Sequence, residues 1–257
     1  MSKLDIVEIE RVEQETPTVK SLFFNWSKDF KPGQFVMIWI PGLDEVPMAV
    51  SKKDNEFITV KKRGKATEAL HDMEIGDKIG IRGPYGNSYS IEGEKILIVT
   101  GGCGGASLIQ AVYEGERSGK KIKSCLGAKT ESELLFRDEL SEKSDLTIVT
   151  EDGSAGREGL VTDIAAEILE KEDFDIVLTC GPEVMMEKVV NICRSNSVPV
   201  QASLERYMKC GIGICDSCTI DGKQVCIDGP IFNGEELEEM DEFGKVERTK
   251  EGRLKDL

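Results

Sequence analysis

Four cysteines close to the C-terminus, Cys210, Cys215, Cys218 and Cys226, are spaced C-x4-C-x2-C-x7-C in a glycine-punctuated run. The first three keep the plant-type spacing for a [2Fe–2S] cluster. Thiolates that converge on two irons force the backbone into a tight curl. Gly211 and Gly213 permit it, because glycine tolerates positive φ and lets amide N–H groups approach the sulfurs. Asp221-Gly222 is a hairpin signal between Thr219-Ile220 and Gln224-Val225, and that hairpin returns Cys226 to the cysteine loop. Zinc is the main alternative for such a site, although only one short knuckle, Cys215 to Cys218, is present. Disulfides need an oxidising compartment.

Composition narrows the setting. The chain has 257 residues, enough for two modest domains and a small appendage, and a formal net charge of -15 that argues against nucleic acid as a partner. The N-terminal stretch has no apolar signal region, and no run approaches the length of a membrane span, so a cytoplasmic protein without membrane contact is expected. Thiols stay reduced there, which favours metal or redox chemistry for the cysteine run. Cys103, Cys125, Cys180 and Cys193 sit in apolar contexts and read as buried structural thiols.

The chain changes rhythm near residue 92. Before it, short alternating segments (Leu4 to Val12, Val19 to Asn25, Gln34 to Trp39, Phe57 to Lys62, Lys78 to Arg82) predict an antiparallel β-barrel, with one helix over Ala66 to Met73. The lone His71 lies in that helix and reads as structural. After it, strands at Lys95 to Thr100, Lys121 to Gly127, Asp145 to Thr150, Asp175 to Cys180 and Val198 to Leu204 alternate with helical segments at Ala106 to Arg117, Ser132 to Leu140, Val161 to Lys171 and Glu183 to Ser195. That alternation predicts an α/β domain with an open parallel sheet. The expected division is 1–92, 93–203, and 204–257 for the cysteine module and its charged tail.

Two glycine turns fall at predicted strand ends. Gly101, Gly102 and Gly104 follow the first strand of the α/β half and open a helix, as a turn that admits a pyrophosphate does, though the run is not a strict G-x-G-x-x-G. Cys180, Gly181 and Pro182 end another parallel strand. Ligands of such sheets bind at the carboxyl edge, so the two turns together mark a nucleotide site. In the first domain, Val46, Pro47, Met48 and Ala49 precede the densest basic cluster of the chain, Lys61, Lys62, Arg63, Gly64, Lys65, Ala66 and Thr67. Arg63, Lys65 and the amides near Ala66 and Thr67 are candidates for holding a diphosphate; a solvated basic turn is the alternative. Asp152-Gly153-Ser154 reads as a loop, and Thr162-Asp163 as a helix cap or part of the nucleotide cleft. Lys129 is placed to meet a 2′-phosphate or only solvent.

The order of parts resembles the ferredoxin–NADP reductase superfamily, and within it the electron transfer subunits of type B dihydroorotate dehydrogenase. The resemblance is most specific over Leu204 to Gly213 and Asp228 to Phe232. Glu151 to Ser154 with Gly159 to Asp163 is similar to the family's D-D-G-S…G-x-V-T-D segment. It implies FAD in the barrel domain, NAD(H) in the α/β domain and [2Fe–2S] on Cys210, Cys215, Cys218 and Cys226. It also implies an FMN-containing dihydroorotate dehydrogenase catalytic subunit as partner, in a heterotetramer of two plus two that serves pyrimidine biosynthesis. The family's R-P-x-S flavin segment aligns with Val46 to Ala49 and its G-x-G-T turn with Gly64 to Thr67. Val46 stands where the family has arginine and Ala49 where it has serine, so Lys62, Arg63 or Lys65 is expected to supply the missing charge. No side chain is expected to act as nucleophile or general base. Reductase subunits of a sulfide dehydrogenase-like NAD(P)H:ferredoxin transhydrogenase or of a hydrogenase share the architecture. A zinc-stabilised binding module is the alternative from another class.

Overall fold

The computed structural model describes residues 3–52, 54–250 and 252–257; the first two residues of the polar N-terminal stretch lie outside them. Six strands, β1 (Asp5–Thr16), β2 (Val19–Phe24), β3 (Phe35–Ile40), β4 (Asp44–Lys52), β5 (Glu56–Lys61) and β6 (Lys78–Tyr85), close a barrel in the order β1-β2-β5-β4-β3-β6, with helix α1 (Lys65–His71) between β5 and β6. Every pairing in it is antiparallel. Alternation sends Val36, Ile38 and Ile40 inward, where they join Ile9, Leu22, Phe24, Ile58 and Ile79 in the barrel core. Each side chain so buried contributes roughly 1.5–3 kcal/mol.

Strand β4 is absent from the sequence expectation, because Pro47 sits in its middle and proline reads as a break. The pairing explains the exception. Residues 44–49 of β4 pair only with β3, and β5 joins only at Val50, Ser51 and Lys52. Pro47 therefore lies where β4 is locally an edge, and its missing N–H leaves no ladder bond broken. The same gap opens the barrel wall.

The second half holds β7 (Lys95–Gly101), α2 (Gly105–Arg117), β8 (Lys121–Ala128), α3 (Arg137–Lys143), β9 (Asp145–Thr150), β10 (Arg157–Glu158), α4 (Val161–Leu169), β11 (Ile176–Cys180), α5 (Glu183–Ser195) and β12 (Val200–Ser203). They form a sheet in the order β10-β9-β8-β7-β11-β12, all parallel. Helices cover both faces: Leu97 and Val99 of β7 enter one core layer, Ile96 and Ile98 the other. The helix expected over Ser132 to Leu140 is split into a single 3-10 turn and α3, because Phe136 between them takes a left-handed conformation with φ of 57°. The strand order reverses between β7 and β11, which puts the crevice of such a sheet at their carboxyl ends.

The cysteine segment carries the short hairpin β13 (Thr219–Ile220) and β14 (Lys223–Gln224), turning at Asp221 and Gly222, both with positive φ. β15 (Ile231–Asn233) then adds to β12 as an antiparallel edge strand, so this segment is stitched into the α/β sheet. Asn87, just past the barrel, ties it further: its side chain donates to Asp228 O and Ile231 O and accepts from Ile231 N–H at 2.7–3.0 Å. A short helix, α6 (Gly234–Glu238), and a tail hairpin of β16 (Val246–Arg248) and β17 (Leu254–Asp256) close the chain. Among the described residues no helix is long and apolar enough to cross a membrane.

Candidate redox site

The cysteine loop is built for sulfur ligands. Gly211 and Gly213 take φ of 68° and 71° and curl the backbone so that its amides face the thiols. Ile212 N–H and Ile214 N–H each donate to Cys210 Sγ at 3.4 Å, and Gly213 N–H donates to Cys226 Sγ at 3.2 Å. Such N–H donation stabilises anionic sulfur, the form that binds iron. Burial opposes ionisation of Cys215, yet hydrogen bonds with Ser217 and Cys210 bring its thiol down to about 6. Burial and the adjacent Cys218 push Cys226 up to about 12. A cation among the sulfurs removes that mutual opposition, and metal binding then displaces the remaining protons. Cys218 and Cys226 are buried and Cys215 is exposed, so one edge of the site meets solvent. Among the described residues, no three His, Cys, Asp or Glu side chains converge on a single point. The fit to a two-iron cluster rests on the spacing and on the amide-to-sulfur bonds. A cavity of about 720 Å³ separates this loop from the tail hairpin, with Cys215, Lys209 and Lys250 on its wall.

A second cavity, about 220 Å³, lies where the three parts of the chain meet. The barrel supplies Pro47, Met48, Ala49, Arg63 and Thr67 from the opened β4–β5 gap and the turn after β5. The glycine turn supplies Cys103, and the first turn of α2 supplies Ala106 and Ser107. The segment entering the cysteine loop supplies Leu204, Glu205, Arg206 and Met208. Val46 and Ala66 stand off this wall and pack on the barrel core instead. Lys62, Gly64 and Lys65 are likewise not on it. Strand alternation gives the reason: Lys61, which ends β5, and Arg63 project to the cavity side and Lys62 to the other. The turn itself is locked by Thr67, whose hydroxyl accepts from Arg63 N–H at 2.8 Å and Gly64 N–H at 3.0 Å and donates to Gly64 O.

A third cavity, about 280 Å³, occupies the crevice at the switch point. Gly101, Gly102 and Pro182 line it, with Lys129 just after β8 and Thr162 at the start of α4. Gly102 has a φ of 53° and open space beside it, whereas a Cβ on Gly104 would fall 2.1 Å from Cys180 O. Gly104 is thus the contact that lets the turn after β7 pack on the end of β11, and Gly102 is the one that faces the open crevice. Cys180 is buried beneath the crevice and Gly181 lies against Gly101. Burial, with Glu205 nearby, pushes the Cys103 thiol up to about 11 and that of Cys180 up to about 12, so both are neutral walls at physiological pH. Lys61 borders both this cavity and the second. Lys61 belongs to the basic cluster and Glu205-Arg206 to the stretch that carries the resemblance, but none of the three was expected to line a cofactor site. The available signal was a charged pair inside the otherwise apolar approach to the first cysteine.

Comparison with known proteins bears on this arrangement. Residues 205–238 match the model of the iron-sulfur cluster binding domain of dihydroorotate dehydrogenase B, and residues 98–191 that of the oxidoreductase NAD-binding domain. A Methanocaldococcus jannaschii protein named "Probable dihydroorotate dehydrogenase B (NAD(+)), electron transfer subunit" is 47% identical over 255 residues, covering 98% of each chain. The chain belongs to the family of dihydroorotate dehydrogenase B electron transfer subunits. A Thermoplasma volcanium protein of the same name is 44% identical over 96% of each chain. Among solved structures, one of an NADH-dependent reduced ferredoxin-NADP oxidoreductase, described for flavin-based electron bifurcation, superposes with a TM-score of 0.83 at 32% identity. It covers 94% of this chain and 91% of its own. The ferredoxin reductase of carbazole 1,9a-dioxygenase shares the fold, with a TM-score of 0.68 at 18% identity over 78% of this chain and 68% of its own. As a dihydroorotate dehydrogenase B electron transfer subunit, the chain is an oxidoreductase subunit in which barrel, nucleotide domain and cysteine module share one interior surface.

Proposed function

We propose that this chain, with a separate FMN-containing catalytic subunit that oxidises dihydroorotate, passes the electrons on to NAD+, in the cytoplasm and as a heterotetramer of two plus two. The reading divides the work among 1–92 for FAD, 93–203 for the nicotinamide nucleotide and 204–257 for the cluster. One observation carries it: the Leu204–Met208 segment, which leads into Cys210, lines the same cavity as Pro47 to Ala49 and as the glycine turn.

When bound, a cluster exchanges single electrons, nicotinamide a hydride, and a flavin either, which is why the flavin site must lie between the other two. The protein supplies position and potential. Cys210, Cys215, Cys218 and Cys226 hold the irons, and the amides of Ile212, Gly213 and Ile214 stabilise sulfur charge. Pro47, Met48 and Ala49 present an apolar wall to the flavin ring. Arg63 and Lys61 offer the positive charge that Val46 does not. Gly101 and Gly102 let the nucleotide backbone come close, and Pro182 lines the same crevice.

Iron, acid-labile sulfide, zinc and flavin measured per chain on anaerobically purified protein test this reading. Two irons, two sulfides and one FAD are expected. Zinc without flavin overturns it.

A further inference from the structure

Strand β3 changes its covering half-way along its outer face. One row of its side chains fills the barrel; the other, Phe35, Met37 and Trp39, points outward. Phe35 and Met37 are 4% and 0% exposed. The cysteine loop covers them, with a Cβ on Gly211 falling 2.8 Å from Met37 Cγ. Trp39, next in the same row, is 36% exposed.

The uncovered row continues sideways across the sheet. Trp39 is in register with Gly80 of β6, and Gly80 with Ile6 of β1. Gly80 forms a bare floor: a Cβ there would fall 2.9 Å from both Leu4 Cδ1 and Trp39 Cε3. Leu4, Ile6 and Trp39 make an exposed apolar plate on this floor. Arg82 marks the border between plate and loop, pairing with Glu45 and donating to Cys210 O at 3.3 Å. On the loop side Ile214, beside Cys215, is 74% exposed, and Ile227, packed on Gly213, is also exposed.

We infer that the plate of Leu4, Ile6 and Trp39, together with Ile214 and Ile227, is the surface on which the catalytic subunit docks; this rests on the proposed role as its electron transfer subunit. Cys215 is the one exposed thiol of the four, so a protein that delivered electrons to a cluster held there would cover Ile214 beside it. The plate is the apolar ground that continues from there, under the loop and along β3. A tryptophan at the centre of an apolar patch is the residue type that carries most binding energy in protein interfaces. A second copy of this chain fits less well, because each copy carries a net charge of -15 and the two would repel.

Pull-down of the co-expressed complex tests the assignment, with Ile6→Glu and Trp39→Arg made separately and Ile75→Glu as a control at an exposed isoleucine outside the plate. The two plate variants are expected to keep their iron, flavin and NADH–ferricyanide activity while recovery of the catalytic subunit falls at least tenfold; the control recovers it fully. Hydrogen exchange on the wild-type complex provides a second reading that needs no variant, with protection gained at residues 4–6 and 37–40. Full recovery with both plate variants, or no protection there, overturns the inference. So does a wild-type chain that dimerises through this face in isolation. If the wild-type chain itself recovers no catalytic subunit, the proposed function fails first.

Discussion

The guanidinium of Arg206 grips the carboxylate of Glu183 in a two-point ion pair whose side chains are 3% and 9% exposed. Glu183 is the first residue of α5, directly after the Gly181-Pro182 turn, and Arg206 lies four residues before the first cluster cysteine. Arg206 also donates to Glu205 O at 2.9 Å, and Gly244 N–H from the tail donates to Glu183 at 3.0 Å. One buried pair thus joins the nucleotide turn, the approach to the cysteine loop and the C-terminal segment. Removing either partner leaves a buried charge uncompensated, which costs about 3–5 kcal/mol. Urea unfolding of Arg206→Met and Glu183→Gln is expected to show losses of that size; a loss within about 0.5 kcal/mol, the range of a surface change, contradicts the account.

Gly102 and Gly104 separate packing from binding within one turn. Gly104→Ala pushes a methyl group into Cys180 O and is expected to lower stability by about 3 kcal/mol. Gly102→Ala meets open space, but its φ of 53° strains any side chain by about 1–2 kcal/mol. Because Gly102 faces the crevice, its variant is expected to raise the KM for NADH on the order of tenfold, one such increment of binding energy. Thermal unfolding and NADH–ferricyanide kinetics, read side by side on both variants, check the contrast.

Glu56 is a buried acid in the barrel. Burial alone would raise its pKa, but hydrogen bonds from Lys52 Nζ and Trp26 N–H outweigh it and hold the carboxyl below the usual range. A folded-state value below the unfolded one means stability that is full above the unfolded value and is lost as pH falls through the folded one. Glu56→Gln is therefore expected to be less stable than wild type at pH 7, by about 1–3 kcal/mol, with the gap narrowing as the pH drops below about 4.5. Denaturant midpoints taken from pH 7 to pH 3 check this; a gap that stays constant with pH would contradict it.

Cysteine substitutions sort the thiols by role. Cys218→Ser is expected to lose at least half of its iron, whereas Cys103→Ser, on the wall of the cavity proposed for FAD, is expected to keep its iron and shift the flavin absorption or potential. Cys193→Ser, on the buried face of α5, is expected to change neither. Metal analysis and visible spectra of the three proteins separate these outcomes.

The cysteine module, the barrel followed by alternating strands and helices, and both glycine turns were legible in the sequence, because spacing and periodicity are local signals. What escaped depends on the tertiary pairing. Strand β4 hid behind Pro47, which is tolerated only because β5 leaves that stretch unpaired. β15 is three residues long and exists by virtue of the edge of β12. In the basic cluster the composition was readable but the side was not: alternation turns Lys61 and Arg63 to the cavity and leaves Lys62 off it. The Arg206–Glu183 pair spans residues far apart in sequence, and no window contains both.

Formation of NADH from dihydroorotate by the anaerobically reconstituted complex is the most direct measurement of the central claim. NAD+ reduction is expected only when the catalytic subunit and this chain are both present, and to fail when this chain carries Cys218→Ser. Equal rates from the catalytic subunit alone, or from the Cys218→Ser complex after its iron has been shown to be lost, would contradict a route through the cysteine module.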